Sequence, residues 1–66
     1  MQIKYFQETD TLLINFNDNL IAETKDINEN MLVELDKNGN IVSMTLEHAK
    51  SNVNVNDLSY QQVAFA

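Results

Sequence analysis

The chain has 66 residues and a formal net charge of −6, from four Lys and no Arg against ten Asp and Glu. One small domain is the most that this length supports, and the absence of Cys excludes a disulfide framework, a zinc ribbon and thiolate catalysis. A pI near 4.3 argues against nucleic acid as a direct partner, because phosphate binding needs clustered Lys and Arg.

The hydrophobic share of 44% falls in short clusters, too patterned for a disordered acidic tail. Asn- and Asp-rich tetrads separate the clusters, which predicts a mainly β (α+β) fold: an antiparallel β-meander of about five strands with a short C-terminal helix or arm. Ten asparagines serve the turns, since Asn tolerates left-handed backbone and bonds its own main chain. Residues 1–49 form the meander and residues 50–66 a C-terminal extension of the same domain.

In chain order, Ile3 to Phe6 form a first strand, with Ile3 and Tyr5 on one face and Lys4 and Phe6 on the other. Gln7 to Asp10 turn the chain. Leu12, Ile14 and Phe16 then alternate with Leu13 and Asn15, giving one apolar and one mixed face. After the turn Asn17-Asp18-Asn19, Leu20 to Lys25 read as a third strand, polar on one side and therefore at an edge or facing water. Asn28-Glu29-Asn30 is the next turn.

Met31 to Asp36 and Ile41 to Glu47 flank Lys37-Asn38-Gly39-Asn40. Asn-Gly is the preferred centre of a type I′ turn, which predicts a two-residue loop at Asn38-Gly39. Asp36 then faces Ile41, Leu35 faces Val42, Glu34 faces Ser43, Val33 faces Met44 and Met31 faces Leu46. All the apolar pairs share a face, and a one-residue slip would scatter them.

Beyond Ala49 the pattern changes. Val53 and Val55 alternate with Asn and suit a short strand or an extended arm. Asn56 or Asp57 can cap a brief helix carrying Leu58, Tyr60 and Val63, with Ser59 and Gln62 spaced as a capping box. A strand from Ser59 to Phe65 fits the same window equally well.

Catalysis is poorly provided for. His48, the one imidazole, continues the alternation of Val42, Met44 and Leu46, which places it on the core face at the fraying end of a strand, with one hydrogen bond. Asp36-Lys37-Asn38-Gly39-Asn40 with Glu47 partly imitates a calcium loop, but Ile41 stands where the sharp turn needs Gly, and the alternation that follows suits a strand. No catalytic, cofactor-binding or metal-binding residue is assigned, and no cofactor is expected. Glu8, Asp10, Asp18, Glu23, Asp26, Glu29, Glu34 and Asp57 read as turn and solvent-face residues. Tyr5, Phe16, Tyr60 and Phe65 read as core, whereas Phe6 with Leu13, Ile21 and Leu32 suggests a second apolar surface. A sheet this small cannot cover two faces with one short helix, so that surface, or the tail Val63-Ala64-Phe65, is expected to be buried against another chain.

Ile3-Lys4-Tyr5, Asp10-Thr11-Leu12-Leu13-Ile14, Ala22-Glu23-Thr24, Asp36 to Val42 and Met44 to Ala49 together resemble the family known as domain of unknown function 2283. The resemblance covers roughly positions 3 to 49 in order and at the expected spacing. It implies a small, β-rich, mostly bacterial protein with no assigned enzymatic activity and no catalytic motif to carry over. Members often stand beside genes for ribonuclease-like toxins, which implies an antitoxin-like role by association. The expected partner is another protein of basic charge, or the chain itself as a homo-oligomer, with neither nucleic acid nor membrane involved. With no leader pattern, Cys or apolar span, the expected location is the cytosol.

Overall fold

The computed structural model describes residues 1–57. Five strands, β1 (Gln2–Phe6), β2 (Thr11–Asn15), β3 (Glu23–Asp26), β4 (Met31–Leu35) and β5 (Ile41–Glu47), precede a one-turn helix α1 (Ala49–Asn52) and a 3-10 turn (Val55–Asp57). They build one antiparallel sheet in the order β1-β2-β5-β4-β3. The sheet is a β1–β2 hairpin joined through β2 and β5 to the meander β3–β4–β5. The connection from β2 must therefore cross one end of the sheet, past β5 and β4, to reach the far edge. The third strand lies at that edge, as its polar pattern requires, although it begins at Glu23 and not Leu20.

Directly opposed residues share a face, so the register fixes what each face carries. One face holds the rows Tyr5–Leu12–Leu46–Met31 and Ile3–Ile14–Met44–Val33–Lys25. The other holds Lys4–Leu13–Thr45–Leu32–Asp26 and Gln2–Asn15–Ser43–Glu34–Thr24. The first is the apolar face: Leu12 and Val33 are buried there, and Ile14, Met31, Met44 and Leu46 are half-buried. The second is polar apart from the Leu13–Leu32 stripe and Phe6, and its buried Ser43 donates a 2.6 Å hydrogen bond to Glu34 Oε1. The second apolar surface read from the sequence thus narrows to that stripe and Phe6, which shares its face two residues beyond Lys4 and opposite Thr11. Ile21 lies outside the sheet, in the β2–β3 connection. Phe16 departs from the core reading as well, because the strand ends at Asn15 and leaves the residue 38% exposed.

The β4–β5 hairpin keeps the predicted register from Met31↔Leu46 to Glu34↔Ser43, then departs from it. Leu35 pairs with Ile41 and not Val42, and Val42 becomes the extra residue of a bulge. The turn differs correspondingly. Gly39 N–H donates to the Asp36 carbonyl at 3.1 Å, Asp36 N–H donates to the Asn40 carbonyl at 2.9 Å, and Gly39 alone in the loop has positive φ, at 83°. A type I′ turn would need positive φ at Asn38 too. The loop is a three-residue one, Lys37-Asn38-Gly39, with Gly in the left-handed position. The longer turn shifts the pairing by one residue, and the bulge at Val42 shifts it back. The apolar face survives because two irregularities cancel.

β5 ends at Glu47 because His48 turns into the left-handed region, with φ at 54° and ψ at 45°. The helix follows at once, earlier than the sequence pattern suggested, and occupies residues read there as the start of an arm. Four residues are too few for a helical period to register. What fixes them is tertiary: Ala49 N–H donates to the Asp10 carbonyl at 3.0 Å, and Ala49 is fully buried. The helix or strand expected between residues 58 and 66, and the tail Val63-Ala64-Phe65, lie outside the described residues.

Candidate interaction surface

The two ends of the sheet differ in chemistry. At one end, the β2–β3 connection runs as a strap across the β4–β5 turn. Phe16 N–H donates to the Val42 carbonyl at 2.8 Å, and the Asn17 side chain donates to the Ile41 carbonyl at 3.2 Å. Asn19 N–H donates to Asn17 Oδ1 and Asn19 Nδ2 to Asp36 Oδ2, both at 3.0 Å. Ala22 N–H then donates to the Leu35 carbonyl at 2.8 Å, leading into β3. Between these fixed points Leu20 is 90% exposed. An open groove of about 480 Å³ separates Leu20, Ile21 and Ala22 from Lys37 and Asn38.

Asp36 joins the strap to the turn. Although only 8% of the residue is exposed, every bond to it comes from a neutral donor: Asn38 N–H and Asn40 N–H at 2.9 Å to Oδ1, and the Asn19 amide to Oδ2. Asn40's backbone bond contributes most to holding the carboxyl below its ordinary pKa, opposed by desolvation and reinforced by Asn19 and Asn38. The calcium-loop imitation does not assemble. Asp36 lies beside the strap, whereas Glu47 lies at the far end of β5, about 20 Å along an extended strand. Among the described residues no cluster of three His, Asp or Glu side chains could hold a metal ion.

At the opposite end, Asp10 ties three segments together. Tyr5 OH donates to Asp10 Oδ1 at 2.6 Å, and Lys50 N–H donates to the same oxygen at 3.1 Å. The turn residue itself sits at positive φ, at 54°, which brings its carbonyl to Ala49. The tyrosine bond is the main reason the Asp10 carboxyl lies below its ordinary range, and the same bond pushes the Tyr5 phenol up to about 12. His48 is exposed at this rim, off the core face where the strand alternation would have put it, and its Nδ1 lies 2.9 Å from Asn30 Oδ1. Its single hydrogen bond agrees with the sequence reading; its face does not, because β5 stops one residue before it.

These bonds set a pH window. Asp10 and Asp36 have folded pKa values below the ordinary 3.8, so their contribution is present in full above that value and is lost as the pH falls through and beneath it. Tyr5 has a folded value raised from 10.0 to about 12, so its contribution is present below 10.0 and is lost as the pH climbs between the two. Melting temperatures measured across pH should therefore fall at both extremes, and Tyr5→Phe should flatten the alkaline limb while leaving Asp36's share of the acid limb. An unchanged alkaline limb in that variant would show that the Tyr5–Asp10 bond contributes nothing.

A small antiparallel-sheet protein results, whose loops display exposed apolar side chains and unpaired carboxylates beside a sheet with one apolar face. The chain belongs to the family described as protein of unknown function (DUF2283), whose model matches residues 2–50, from the start of β1 into α1. No curated protein and no solved structure matches it. Among the described residues no helix is long and apolar enough to cross a membrane. The role of Asn19 and the exposure of Leu20 were missed in the sequence, where Leu20 was absorbed into a strand; the tripeptide Leu20-Ile21-Ala22 between an Asn turn and Glu23 was the available signal.

Proposed function

We propose that this protein is a non-enzymatic protein–protein interaction module that pairs with a basic partner protein in an antitoxin-like role. The observation that carries this reading is where the charge sits. Glu8, Asp18, Glu23, Asp26, Glu29 and Glu47 are all exposed on turns and strand ends. Among the described residues the one ion pair is Lys25–Glu23, at 3.9 Å, so most of the formal charge of −6 is left to solvent. Such a surface complements a basic groove of the kind a nucleic-acid-cleaving protein must present, and it steers association more than it stabilises the fold.

The test is isolation of the tagged chain from its native cells at low salt, followed by a high-salt wash. A stoichiometric basic protein that leaves with salt is the expected result, because exposed charge pairs are screened within about 8 Å at physiological ionic strength. Recovery of nothing but a salt-resistant homo-oligomer would replace this reading with that of a self-associating structural domain.

A further inference from the structure

We propose that Asn38 is a site of self-modification, its side-chain amide converted to a carboxylate by attack of the Gly39 backbone nitrogen, at a rate restrained by Asp36. The reaction needs no partner and no catalyst, so it goes beyond the interaction-module reading and does not rest on it.

The sequence singles the position out. Attack on an asparagine side chain comes from the backbone nitrogen of the next residue, and a side chain on that residue crowds the approach. Asn38 is the one asparagine of ten that precedes Gly; the others precede Phe, Asp, Leu, Glu, Met, Ile or Val. The structure adds access. Asn38 and Gly39 are both exposed, and nothing lies within 4 Å of where a Cβ on Gly39 would stand. Other asparagine side chains are held. Asn17 donates to the Ile41 carbonyl, Asn19 to Asp36 and Asn52 to the His48 carbonyl, while Asn28, Asn30 and Asn54 are engaged through Oδ1. The Asn38 side chain has no hydrogen-bond partner among the described residues.

The Gly39 nitrogen gives up its proton to solvent and bonds to Asn38 Cγ; the Cγ–Nδ2 bond breaks, ammonia leaves and a cyclic imide remains. Water then opens the imide. Addition at Cγ yields aspartate. Addition at the Asn38 main-chain carbonyl yields isoaspartate, in which the backbone runs through Cγ and is one carbon longer. One water is consumed and one ammonia released, with no change of oxidation state.

Asp36 holds this reaction back. Gly39 N–H is donated to the Asp36 carbonyl at 3.1 Å, and Asp36 Oδ1 holds Asn38 N–H and Asn40 N–H at 2.9 Å each. These bonds must open before the nitrogen is free to ionise and approach Cγ, so the reaction draws on locally opened tips. The carboxylate also acts through its charge, because a nearby anion disfavours ionisation of the amide. Modification in turn undoes the restraint: isoaspartate lengthens the path from Asp36 to Asn40, and one carboxylate no longer reaches both N–H groups. Asn38 also lines the groove beside Leu20 and Ile21, so either product puts a new negative charge on that wall, next to Lys37.

The experiment incubates the full chain at neutral pH, below every melting temperature, as wild type, Asn38→Gln, Asp36→Ala, Asp36→Asn and Leu12→Ala. Peptide mapping by mass spectrometry follows amide-to-acid conversion at each asparagine, and an isoaspartyl methyltransferase assay counts the isoaspartate. Wild type is expected to convert first at position 38, and Asn38→Gln to leave that peptide unchanged, since its longer side chain closes a ring far more slowly. Asp36→Ala should convert about tenfold faster than wild type, the effect of losing the carboxylate's bonds in the tip, with Asp36→Asn in between. Leu12→Ala, destabilised in the core with the tip bonds intact, should stay close to the wild-type rate. Earlier conversion at another asparagine would overturn the site, as would a folded wild type left unmodified while the isolated tip peptide converts fully. Equal acceleration in Asp36→Ala and Leu12→Ala, or none in either Asp36 variant, would overturn the restraint.

Discussion

Leu12→Ala is expected to remove about 3 kcal/mol of stability, within the usual range of roughly 2 to 5 kcal/mol for emptying a buried leucine site. Leu12 is 5% exposed, at the second position of β2, between Tyr5 on β1 and Leu46 on β5. It therefore stands at the junction where the β1–β2 hairpin meets the rest of the sheet. A chain of this length has only about 3 to 10 kcal/mol to lose, scaling from roughly 0.05 to 0.15 kcal/mol per residue. The variant should show a sharply lower urea midpoint at near-constant slope. Leu13→Ala, one residue along and half-buried on the other face, should cost clearly less. A Leu12→Ala loss no larger than that of Leu13→Ala would mean that the apolar face is not the core.

Asp36→Ala is the other large effect, expected to lower the melting temperature by roughly 10 °C through loss of a hydrogen-bond hub. The side chain accepts from Asn38 N–H, Asn40 N–H and the Asn19 amide, and removing it strands all three donors at once. Asp36→Asn should fall between, since its amide oxygen can still accept from the turn while Asn19 reverses its own amide to meet the new donor. Hydrogen exchange separates this from general destabilisation: the Asn38 and Asn40 amides should lose protection more than those of β2. A melting temperature within two or three degrees of wild type would show that solvent replaces the hub at little cost.

How much of this was legible beforehand depended on whether the information was local. The pairing of Met31 to Glu34 with Ser43 to Leu46 could be read because alternation and turn length converge on it. The partner of β2 could not. Leu12, Ile14 and Phe16 mark an apolar face, but alternation does not say which strand lies beside it, and β5 is 30 residues away. His48 was misplaced by extending a period past the point where the backbone turns left-handed. The helix Ala49–Asn52 depends on an acceptor at Asp10, about 40 residues earlier, a distance no periodic pattern spans. Asp36 was half visible: Asp-x-Asn-x-Asn is the spacing of a side chain that captures the amides two and four residues on, and it is the same spacing that imitates a calcium loop. The Asn19 contact, 17 residues away, was beyond reach.

The cancellation of turn against bulge in the β4–β5 hairpin gives that segment two isomers of equal length. Eight residues, Leu35 to Val42, lie between the paired Glu34 and Ser43. They can close as two loop residues with a regular ladder, or as three loop residues with one bulge. Both forms deliver the same register to everything downstream. The sheet therefore senses only the total, and the choice between isomers falls to one carboxylate reaching two amides. Drift within the hairpin tip is silent to the core as long as the count from Glu34 to Ser43 is conserved, because every residue added to the loop is then one removed from the ladder.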